Sequence, residues 1–559
     1  MGYSNEHGHL LSDKTAFRVA AVLLLVAAAI LIRLYGTVWK PSFDFNEANA
    51  KAYQDSGFWG KHTKQLRHTV EVSPTRSYHS AITARYFYYQ NLKTAVPWEK
   101  DVLNAQILQG VQPLAEDYCP PVMERLVAFI FGAAGAELGW MPPVLSVLIW
   151  ISGGGLMFMI CRRFGGFEAG YISSAVFMLL PFGIYSSRIF LPDSLWLVSM
   201  LPVFLTMLRY FEKQNQPRLI ALVLASAVAA FIKPLNMLFV FAAYFSLALA
   251  HQDKKIRLFD LRSWLFYIAV IMPPAFYYIY VKTSSAPVVK TYFIWELLTT
   301  KFFYNEMWFF FKEAVSWPVM LMAAAGVLMF KKRDVRYFAA SMWIMFVIVG
   351  IAFNHSINTF HDYYVLYMVP IIALSLGLLT DSAVRLLRQW RINRLFQIGI
   401  CGVLIIFSLY TLRPVRWMIQ KNDLSQRNVL SRQIGEAVNH STKAVFLAPS
   451  FGKPLMYDAW ISGKTWPSAW LLWKKWKEQK AGDEMLTDTD TYLKNHPMSE
   501  GEAENIFKSE YSSMQPEFFI VTDFEQFQQQ PGLKEFLEKN YHQLANHQTY
   551  LIFDLKRRN

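Results

Sequence analysis

The chain has 559 residues, of which 54% are hydrophobic, 16% aromatic and 17% charged, and its mean hydropathy is positive. This composition excludes a single soluble domain and is typical of a polytopic membrane protein. The net charge of +14 does not indicate nucleic acid as a partner, because the lysines and arginines form short clusters between apolar runs. The three cysteines, Cys119, Cys161 and Cys401, lie too far apart for a disulfide framework or a zinc knuckle.

The apolar runs predict about eleven membrane-spanning helices, each close to the roughly 20 residues that a bilayer requires. The predicted spans are 17–36, 141–160, 168–186, 194–211, 218–232, 235–250, 263–281, 316–330, 336–353, 364–380 and 395–412. The first run has a basic flank but no small-residue cleavage site, so we interpret it as a retained helix rather than a removed signal peptide. Arg33, near its end, is expected to reach the interface by snorkelling.

The distribution of basic residues predicts the orientation of these spans. If the N-terminus is cytoplasmic, the inside loops are all basic, namely 162–163, 212–218, 251–262, 331–336 and 381–394. The short outside loops 187–193, 233–234 and 354–363 hold only Arg188 and Lys233 as basic residues. The positive-inside rule is satisfied at all of these loops, so the N-terminus is predicted to be cytoplasmic.

Two stretches outside the spans are long enough to carry function. Residues 37–140 form the first outside loop, in which Met123–Gly135 is too short to span and is interpreted as an interfacial or re-entrant helix. Residues 413–559 combine amphipathic helices such as Leu424–Val438 with strand-like runs at 444–448, 518–522 and 550–555. The predicted architecture is a polytopic α-helical membrane domain, 1–412, followed by a soluble α/β domain, 413–559, on the outer side.

Two carboxylates follow the first predicted span, in the stretch Phe43-Asp44-Phe45-Asn46-Glu47. Asp44 or Glu47, at the membrane surface, is a candidate general base for an acceptor hydroxyl. The alternative is that either residue caps a helix that begins in this loop, since Asp, Asn and Glu favour first helical turns. The spacing alone leaves both interpretations open.

Two of the short outside loops each carry a lone cation. Arg188 and Asp193 flank one turn, where charges at membrane depth are unfavourable unless they pair or meet a ligand. Lys233, directly before Pro234, is the cation of the other turn. The alternatives are helix-start chemistry for Asp193 and snorkelling for Lys233.

A fourth polar stretch contains His361, Asp362 and Tyr363, directly before the tenth predicted span. His361 is a candidate phosphate ligand, with Asp193, Asp362 and Tyr363 as supporting residues. The alternative is an interfacial aromatic belt with polar neighbours. The predicted topology places all four stretches on the outer face. The four stretches contain no Asp-X-Asp pair, so no metal ligand is predicted there.

This ordered set of stretches resembles the GT-C glycosyltransferases of the protein-mannosyltransferase and aminoarabinose-transferase group. In that family an acidic motif follows the first helix, Pro-Pro precedes a juxtamembrane helix, and Arg with Pro-Asp follows the third span. The corresponding stretches here are 44–47, 116–121, 188–193, 233–234 and 361–364, and segment 457–466 is similar to an aromatic, glycine-containing segment of the family's soluble domains. One departure is Asn46, which stands where many relatives have the Asp of an Asp-Glu pair, so the base is Asp44 or Glu47.

The resemblance implies a GT-C fold and an enzyme that transfers a sugar from a polyprenyl-phosphate donor, such as undecaprenyl phosphate, to an acceptor hydroxyl. Arg188, Lys233 and His361 would bind the donor phosphate, and Asp44 or Glu47 would activate the acceptor, with inversion of the anomeric carbon. The acceptor is left open between lipid A, another glycan and a protein. The predicted orientation and compact loops indicate a bacterial inner membrane, with the α/β domain in the periplasm.

Three other functions share this hydropathy. A transporter or flippase of lipid-linked sugars would place polar residues at mid-membrane and repeat its spans in two halves, and neither pattern is clear. A non-catalytic scaffold with a sensor tail does not account for the clustered external cations and carboxylates. An O-antigen-ligase-like glycosyltransferase carries its catalytic loop elsewhere, whereas the acidic motif here follows the first helix.

Overall fold

The computed structural model of the protein describes a defined part of the chain. The described residues are 6–34, 74–110, 119–251, 258, 260–284, 293, 295–299, 301, 303–305, 307–308, 315, 317–354, 362–389, 424–468, 472 and 497–559. They belong to two compact units. The helical unit comprises 1–73, 117–123 and 138–422, and the sheet unit comprises 74–116, 124–137 and 423–559. The described residues 74–110 and 124–137 of the predicted first loop therefore share a unit with the C-terminal segment.

The helical unit is built from apolar helices in the order of the predicted spans. Its described helices are α1 (Glu6–Leu34), α5 (Met141–Leu179), α6 (Pro181–Ser187), α7 (Asp193–Glu212), α8 (Gln216–Ile232), α9 (Asn236–Ala250), α10 (Leu261–Ser284), α11 (Trp317–Met329), α12 (Arg333–Ala352) and α13 (Met368–Gln389). A 3-10 helix, Asp362–Tyr367, leads into α13. The last predicted span, 395–412, lies outside the described residues.

Five segments of the described chain are long and apolar enough to cross a bilayer: Met141–Leu179, Asp193–Glu212, Leu261–Tyr280, Arg333–Ala352 and Tyr364–Leu386. Three shorter apolar helices, Gln216–Ile232, Asn236–Ala250 and Pro318–Met329, coincide with three further predicted spans. The prediction of a polytopic helical membrane protein is thus confirmed.

The long helix α5 covers most of two predicted spans. A break at two glycines divides it into two helical parts, which correspond to these spans. Gly165 and Gly166 have non-helical backbone angles, and Gly166 has φ of 78°, a conformation that an L side chain rarely adopts. The second of these predicted spans, 168–186, extends too far, since α5 ends at Leu179 and Pro181 begins α6. Proline cannot donate the next helical hydrogen bond but fits the first turn of a new helix.

The core of the helical unit lies between α5, α7, α9, α12 and α13, where buried side chains such as Trp150, Phe177 and Phe239 form one continuous cluster. Small residues let backbones approach closely. A Cβ at Gly326 of α11 would stand 2.0 Å from the carbonyl oxygen of Ser375 on α13. Close approach at small residues is the usual way in which membrane helices gain packing energy.

The sheet unit contains a five-stranded mixed sheet with the order β2-β1-β3-β5-β4. The strands are β1 (Ala444–Leu447), β2 (Gly463–Thr465), β3 (Phe518–Val521), β4 (Tyr541–His547) and β5 (Tyr550–Arg558). β1 is parallel to β2 and β3, whereas β5 is antiparallel to β3 and β4. The C-terminal α/β architecture is confirmed.

Helices pack on both faces of this sheet. The remaining described α-helices are α2 (Pro74–Asn91), α3 (Pro97–Ala105, continued by a π-turn to Gly110), α4 (Val122–Ala134), α14 (Leu424–Ala437), α15 (Lys453–Ala459), α16 (Glu500–Ile506), α17 (Phe524–Gln528) and α18 (Pro531–Asn540), and all of these except α4 contribute to the sheet clusters or to the contacts around them. Alternate strand residues point to opposite faces. Phe446, Ile520 and Ile552 pack with Ile82 of α2, whereas Val445 and Phe519 belong to a second cluster on the α16 and α18 side.

An ion pair and the hydrogen bonds beside it join three segments of the sheet unit that are distant in sequence. Arg85 of α2 donates Nε to both carboxylate oxygens of Glu137, at 2.9 and 3.0 Å, and Nη1 to the carbonyl of Tyr457 at 2.6 Å. The Tyr457 hydroxyl donates to the same carboxylate at 2.7 Å. Burial raises the pKa of that hydroxyl well above its usual value, so it remains a donor. The guanidinium also lies over the rings of Tyr457 and Trp460, at 3.6 and 4.4 Å.

Candidate functional site

The predicted site residues fall partly inside and partly outside the described chain. Asp44, Glu47 and His361 lie outside the described residues. Asp362 and Tyr363 lie on the described 3-10 helix, but their side chains do not belong to the described part of the structure. Arg188, Asp193 and Lys233 are described in full, and all three are buried in the helical unit.

Arg188 and Asp193 stand at the two ends of the turn between α6 and α7. Arg188 is 6% exposed, and its Nε donates to the backbone carbonyl of Arg33 at 3.1 Å. Asp193 is 4% exposed and occupies the first position of α7. The helix dipole favours a carboxylate in the first helical turn, which is the helix-start alternative for Asp193.

Arg33 holds the same turn from the end of α1, which corrects the expectation that it snorkels to the interface. Its side chain is fully buried. Nε donates to Ser187 Oγ at 2.6 Å, Nη2 to the carbonyl of Met178 at 2.6 Å and Nη1 to that of Ala29 at 3.1 Å. A planar fork of five donors can bond several acceptors at once, which favours an interior position over exposure at the interface. Sequence reasoning missed this role, although an arginine within a predicted span was a usable signal.

Replacing Arg33 with lysine is expected to lower the thermal midpoint of the helical unit and to weaken any function of Arg188. Lysine keeps the charge but cannot reach three separated acceptors with the geometry of a guanidinium. Scanning fluorimetry in detergent, with Arg18→Lys as control on the same helix, measures the effect. Arg18 is exposed, so its substitution should change little. Equal midpoints for the two variants would show that the buried contacts of Arg33 do not stabilise the turn.

Lys233 lies in the short connection between α8 and α9. Pro234 after it cannot continue a helix and pushes its predecessor to extended angles, and Lys233 has φ of −147° and ψ of 110°. Its side chain is buried, with Nζ 3.6 Å from the ring centroid of Trp196 and 5.8 Å from that of Tyr364. Over the described parts of the chain, the structure gives this ammonium no hydrogen bond and no ion pair.

This environment suits an anionic ligand. Aromatic faces attract a cation but supply no hydrogen-bond acceptor of carboxylate strength. A buried ammonium that keeps unused donors is unfavourable alone and becomes favourable when an anion reaches it. Phosphate oxygens are acceptors of this kind.

The helical unit brings three of the four predicted stretches together. Within it, the 3-10 helix 362–367 contacts both α6 and α7, which carry the turn 188–193. Tyr367 of that helix hydrogen-bonds Asn236, three residues after Lys233. The fourth stretch, with Asp44 and Glu47, is outside the described residues. Among the residues that are described, no group of three or more His, Cys, Asp or Glu side chains is placed to hold a metal ion.

Comparison with solved structures assigns the chain to the fold class of the GT-C glycosyltransferases. ArnT from Cupriavidus metallidurans, crystallised with undecaprenyl phosphate, superposes with a TM-score of 0.53 at 12% identity, over 95% of this chain and 97% of that one. The oligosaccharyltransferase of Archaeoglobus fulgidus in its apo form gives 0.53 at 10% identity, over 93% and 73%. The same archaeal enzyme with an inhibitory peptide and a dolichol-phosphate gives 0.50 at 10% identity, over 95% and 73%.

No model of a known protein family matches the sequence, and no curated protein matches it by sequence. Because the sequence identities to the solved structures are low, these similarities establish the fold alone. The predicted fold class, a GT-C membrane protein with a C-terminal α/β domain, is confirmed.

Proposed function

We propose that this protein is a glycosyltransferase that moves a sugar from a polyprenyl-phosphate donor to an acceptor hydroxyl. The observation that carries the proposal is the buried ammonium of Lys233, held against Trp196 and Tyr364 with unused donors, in a chain with the GT-C fold. The polyprenyl donor is supported by the solved ArnT, which contains undecaprenyl phosphate, and by the archaeal enzyme, which contains a dolichol-phosphate.

The cations act on the leaving group in this proposal. When the bond between the anomeric carbon and the phosphate oxygen breaks, its electron pair moves onto the phosphate, whose negative charge grows. Arg188, Lys233 and His361 bind and stabilise that charge, and preorganised donors are effective because they need no rearrangement during the reaction. Asp193, Asp362 and Tyr363 support these residues.

A carboxylate acts on the acceptor. Asp44 or Glu47 accepts the proton of the acceptor hydroxyl while its oxygen attacks the anomeric carbon from the side opposite the phosphate. Direct displacement of this kind inverts the anomeric centre. The base and the cations require different positions around the sugar, so the early acidic motif and the later cationic turns have separate roles.

The acceptor is a lipid such as lipid A, a glycan or a protein, and the reaction takes place at the outer face of a bacterial inner membrane. In this arrangement the N-terminus is cytoplasmic and the α/β domain is periplasmic. The basic residues in the predicted inside loops support this orientation.

Release of carrier phosphate from radiolabelled undecaprenyl-phosphate sugars tests the proposal. We would compare the purified wild type in detergent with Asp44→Asn, Glu47→Gln and Arg188→Ala. We expect wild-type release, a loss of about a hundredfold or more for the variant that removes the base, and a marked loss for Arg188→Ala. The other carboxylate variant serves as the internal control for folding and lipid binding.

The outcomes separate the competing functions. If wild type binds no carrier lipid, the glycosyltransferase proposal fails, and transport assays in vesicles become the next measurement. If wild type releases carrier phosphate and neither carboxylate variant is impaired, the base lies elsewhere and the assignment of Asp44 and Glu47 is wrong.

A further inference from the structure

Asn236 opens α9, and its side chain is fully buried. Nδ2 donates to the carbonyl of Trp196 at 3.0 Å and to that of Ala229 at 3.1 Å, and it lies 3.3 Å from Ser199 Oγ. Oδ1 accepts a hydrogen bond from the hydroxyl of Tyr367 at 2.8 Å. A primary amide has two donors and a carbonyl acceptor, so both ends of this side chain are used.

These bonds fix the surroundings of Lys233. Trp196, whose carbonyl is held by Asn236, supplies the ring beneath the Lys233 ammonium. Tyr364, the second ring near that ammonium, stands three residues before Tyr367, one turn earlier in the same 3-10 helix. The backbone N–H of Asn236 also donates to the carbonyl of Lys233 at 2.9 Å, which closes the turn.

Further buried contacts surround this network. Tyr367 is 4% exposed, and its ring stacks on Phe239 with centroids 4.8 Å apart and an interplanar angle of 3°. Apolar packing alone is non-directional, whereas a buried hydrogen bond fails when its partner moves by a fraction of an ångström. The hydrogen bond from Tyr367 to Asn236 therefore sets the position of the 3-10 helix relative to α9.

We propose that Asn236 and Tyr367 are positioning residues for the donor phosphate, which act through Lys233 without touching the donor. Their hydrogen bond keeps the ammonium near the rings of Trp196 and Tyr364 and couples the 362–367 helix to the α8–α9 connection. Residues that hydrogen-bond to a ligand-binding group orient that group and tune its affinity for the ligand, as is known for residues that hydrogen-bond to metal ligands. This inference rests on the proposed function.

The test compares Tyr367→Phe with a matched variant, Tyr244→Phe. Tyr244 is also a buried tyrosine of the helical unit, with its hydroxyl 2.9 Å from Ser263 Oγ, in a hydrogen bond that does not involve the surroundings of Lys233. Both variants remove one buried hydroxyl and should lower the thermal midpoint by similar amounts. The readouts are that midpoint, the dissociation constants for undecaprenyl phosphate and for undecaprenol, and KM and kcat for transfer.

We expect Tyr367→Phe to weaken binding of undecaprenyl phosphate roughly tenfold, since groups within one hydrogen-bonded network are coupled. Binding of undecaprenol, which has no phosphate, should not change. Tyr244→Phe should leave both dissociation constants at the wild-type values. Asn236→Leu should reproduce the effect of Tyr367→Phe, and if this variant does not fold, Tyr367→Phe decides alone.

Two results would overturn the inference while the proposed function stands. One is a Tyr367→Phe variant with a lower thermal midpoint but wild-type affinity for undecaprenyl phosphate. The other is a Tyr244→Phe variant that weakens this affinity equally. If wild type itself binds undecaprenyl phosphate no better than undecaprenol, the proposed function fails and the inference fails with it.

Discussion

Replacing Lys233 with methionine is expected to lower kcat/KM for sugar transfer on the order of a thousandfold, near the upper end of what one preorganised donor contributes. Methionine has a similar length and packs well against an aromatic ring, so the surroundings of Trp196 should persist. In the proposed mechanism, the lost group is the positive charge that attracts the donor phosphate more strongly as the leaving group departs. Steady-state kinetics measures the loss in kcat/KM. The dissociation constant for undecaprenyl phosphate measures how much of that loss comes from weaker binding.

Lys233→Arg and Lys331→Met are the control variants for this prediction. Arginine keeps the charge but displaces its donors, because a guanidinium is planar and larger, so we expect an intermediate loss. Lys331 is exposed and lies at the predicted cytoplasmic end, where loss of one charge should not affect transfer. Wild-type kcat/KM in Lys233→Met would show that the ammonium has only a structural role on the ring of Trp196.

Replacing Arg85 with methionine is expected to destabilise the sheet unit by about 3 kcal/mol or more. The side chains of Arg85 and Glu137 are only 7% and 15% exposed, so the substitution leaves a buried carboxylate without its counter-charge. The carbonyl of Tyr457 also loses its donor. Hydrogen exchange of the β1 and β3 amides in the full-length protein reports the change in unfolding free energy without interference from the helical unit.

A double-mutant cycle separates the ion pair from simple loss of packing. Removing both charges, in Arg85→Met with Glu137→Leu, should destabilise the unit by much less than the sum of the single variants, because no uncompensated charge remains. Arg432→Met, at an exposed position of α14, should leave exchange unchanged. Additive effects in the cycle would contradict the assignment of a coupled pair.

Much of the fold could be predicted because its signals are local. Runs of apolar residues predict the helices of the helical unit, and β-branched and aromatic runs predict β1, β3 and β5 to within a few residues. β2 and β4 were not predicted. β2 has only three residues, and β4, Tyr541–His547, is a mostly exposed edge strand without a continuous apolar pattern. The break at Gly165 and Gly166 shows how two glycines change helix boundaries that hydropathy alone places elsewhere.

The residues of the candidate site that the sequence indicates are those whose charge is unusual for their predicted position. Lys233 and Arg188 are cations on the predicted outer side, where few basic residues are expected, and the described structure buries both. Asn236 and Tyr367 are not unusual for their positions in the sequence, because an amide at a helix start and a tyrosine near an interface are common. The role proposed for them rests on a hydrogen bond between residues 131 positions apart, which no local pattern encodes. Arg33 was misassigned for the same reason, since its acceptors lie on α5 and α6.

The ion pair between Arg85 and Glu137 and the bond to Tyr457 also constrain the order in which the chain can fold. The residues joined by the Arg85 bond to Tyr457 are 372 positions apart. At a synthesis rate of about 5–20 residues per second, the first-loop helices emerge roughly 20 to 75 s before their sheet partners exist. During that interval Ile82 and the rest of the α2 face have no sheet to cover them. A chain that has been synthesised only as far as α2 therefore presents apolar surface, and chaperones or proteases can bind that surface before the C-terminal segment exists.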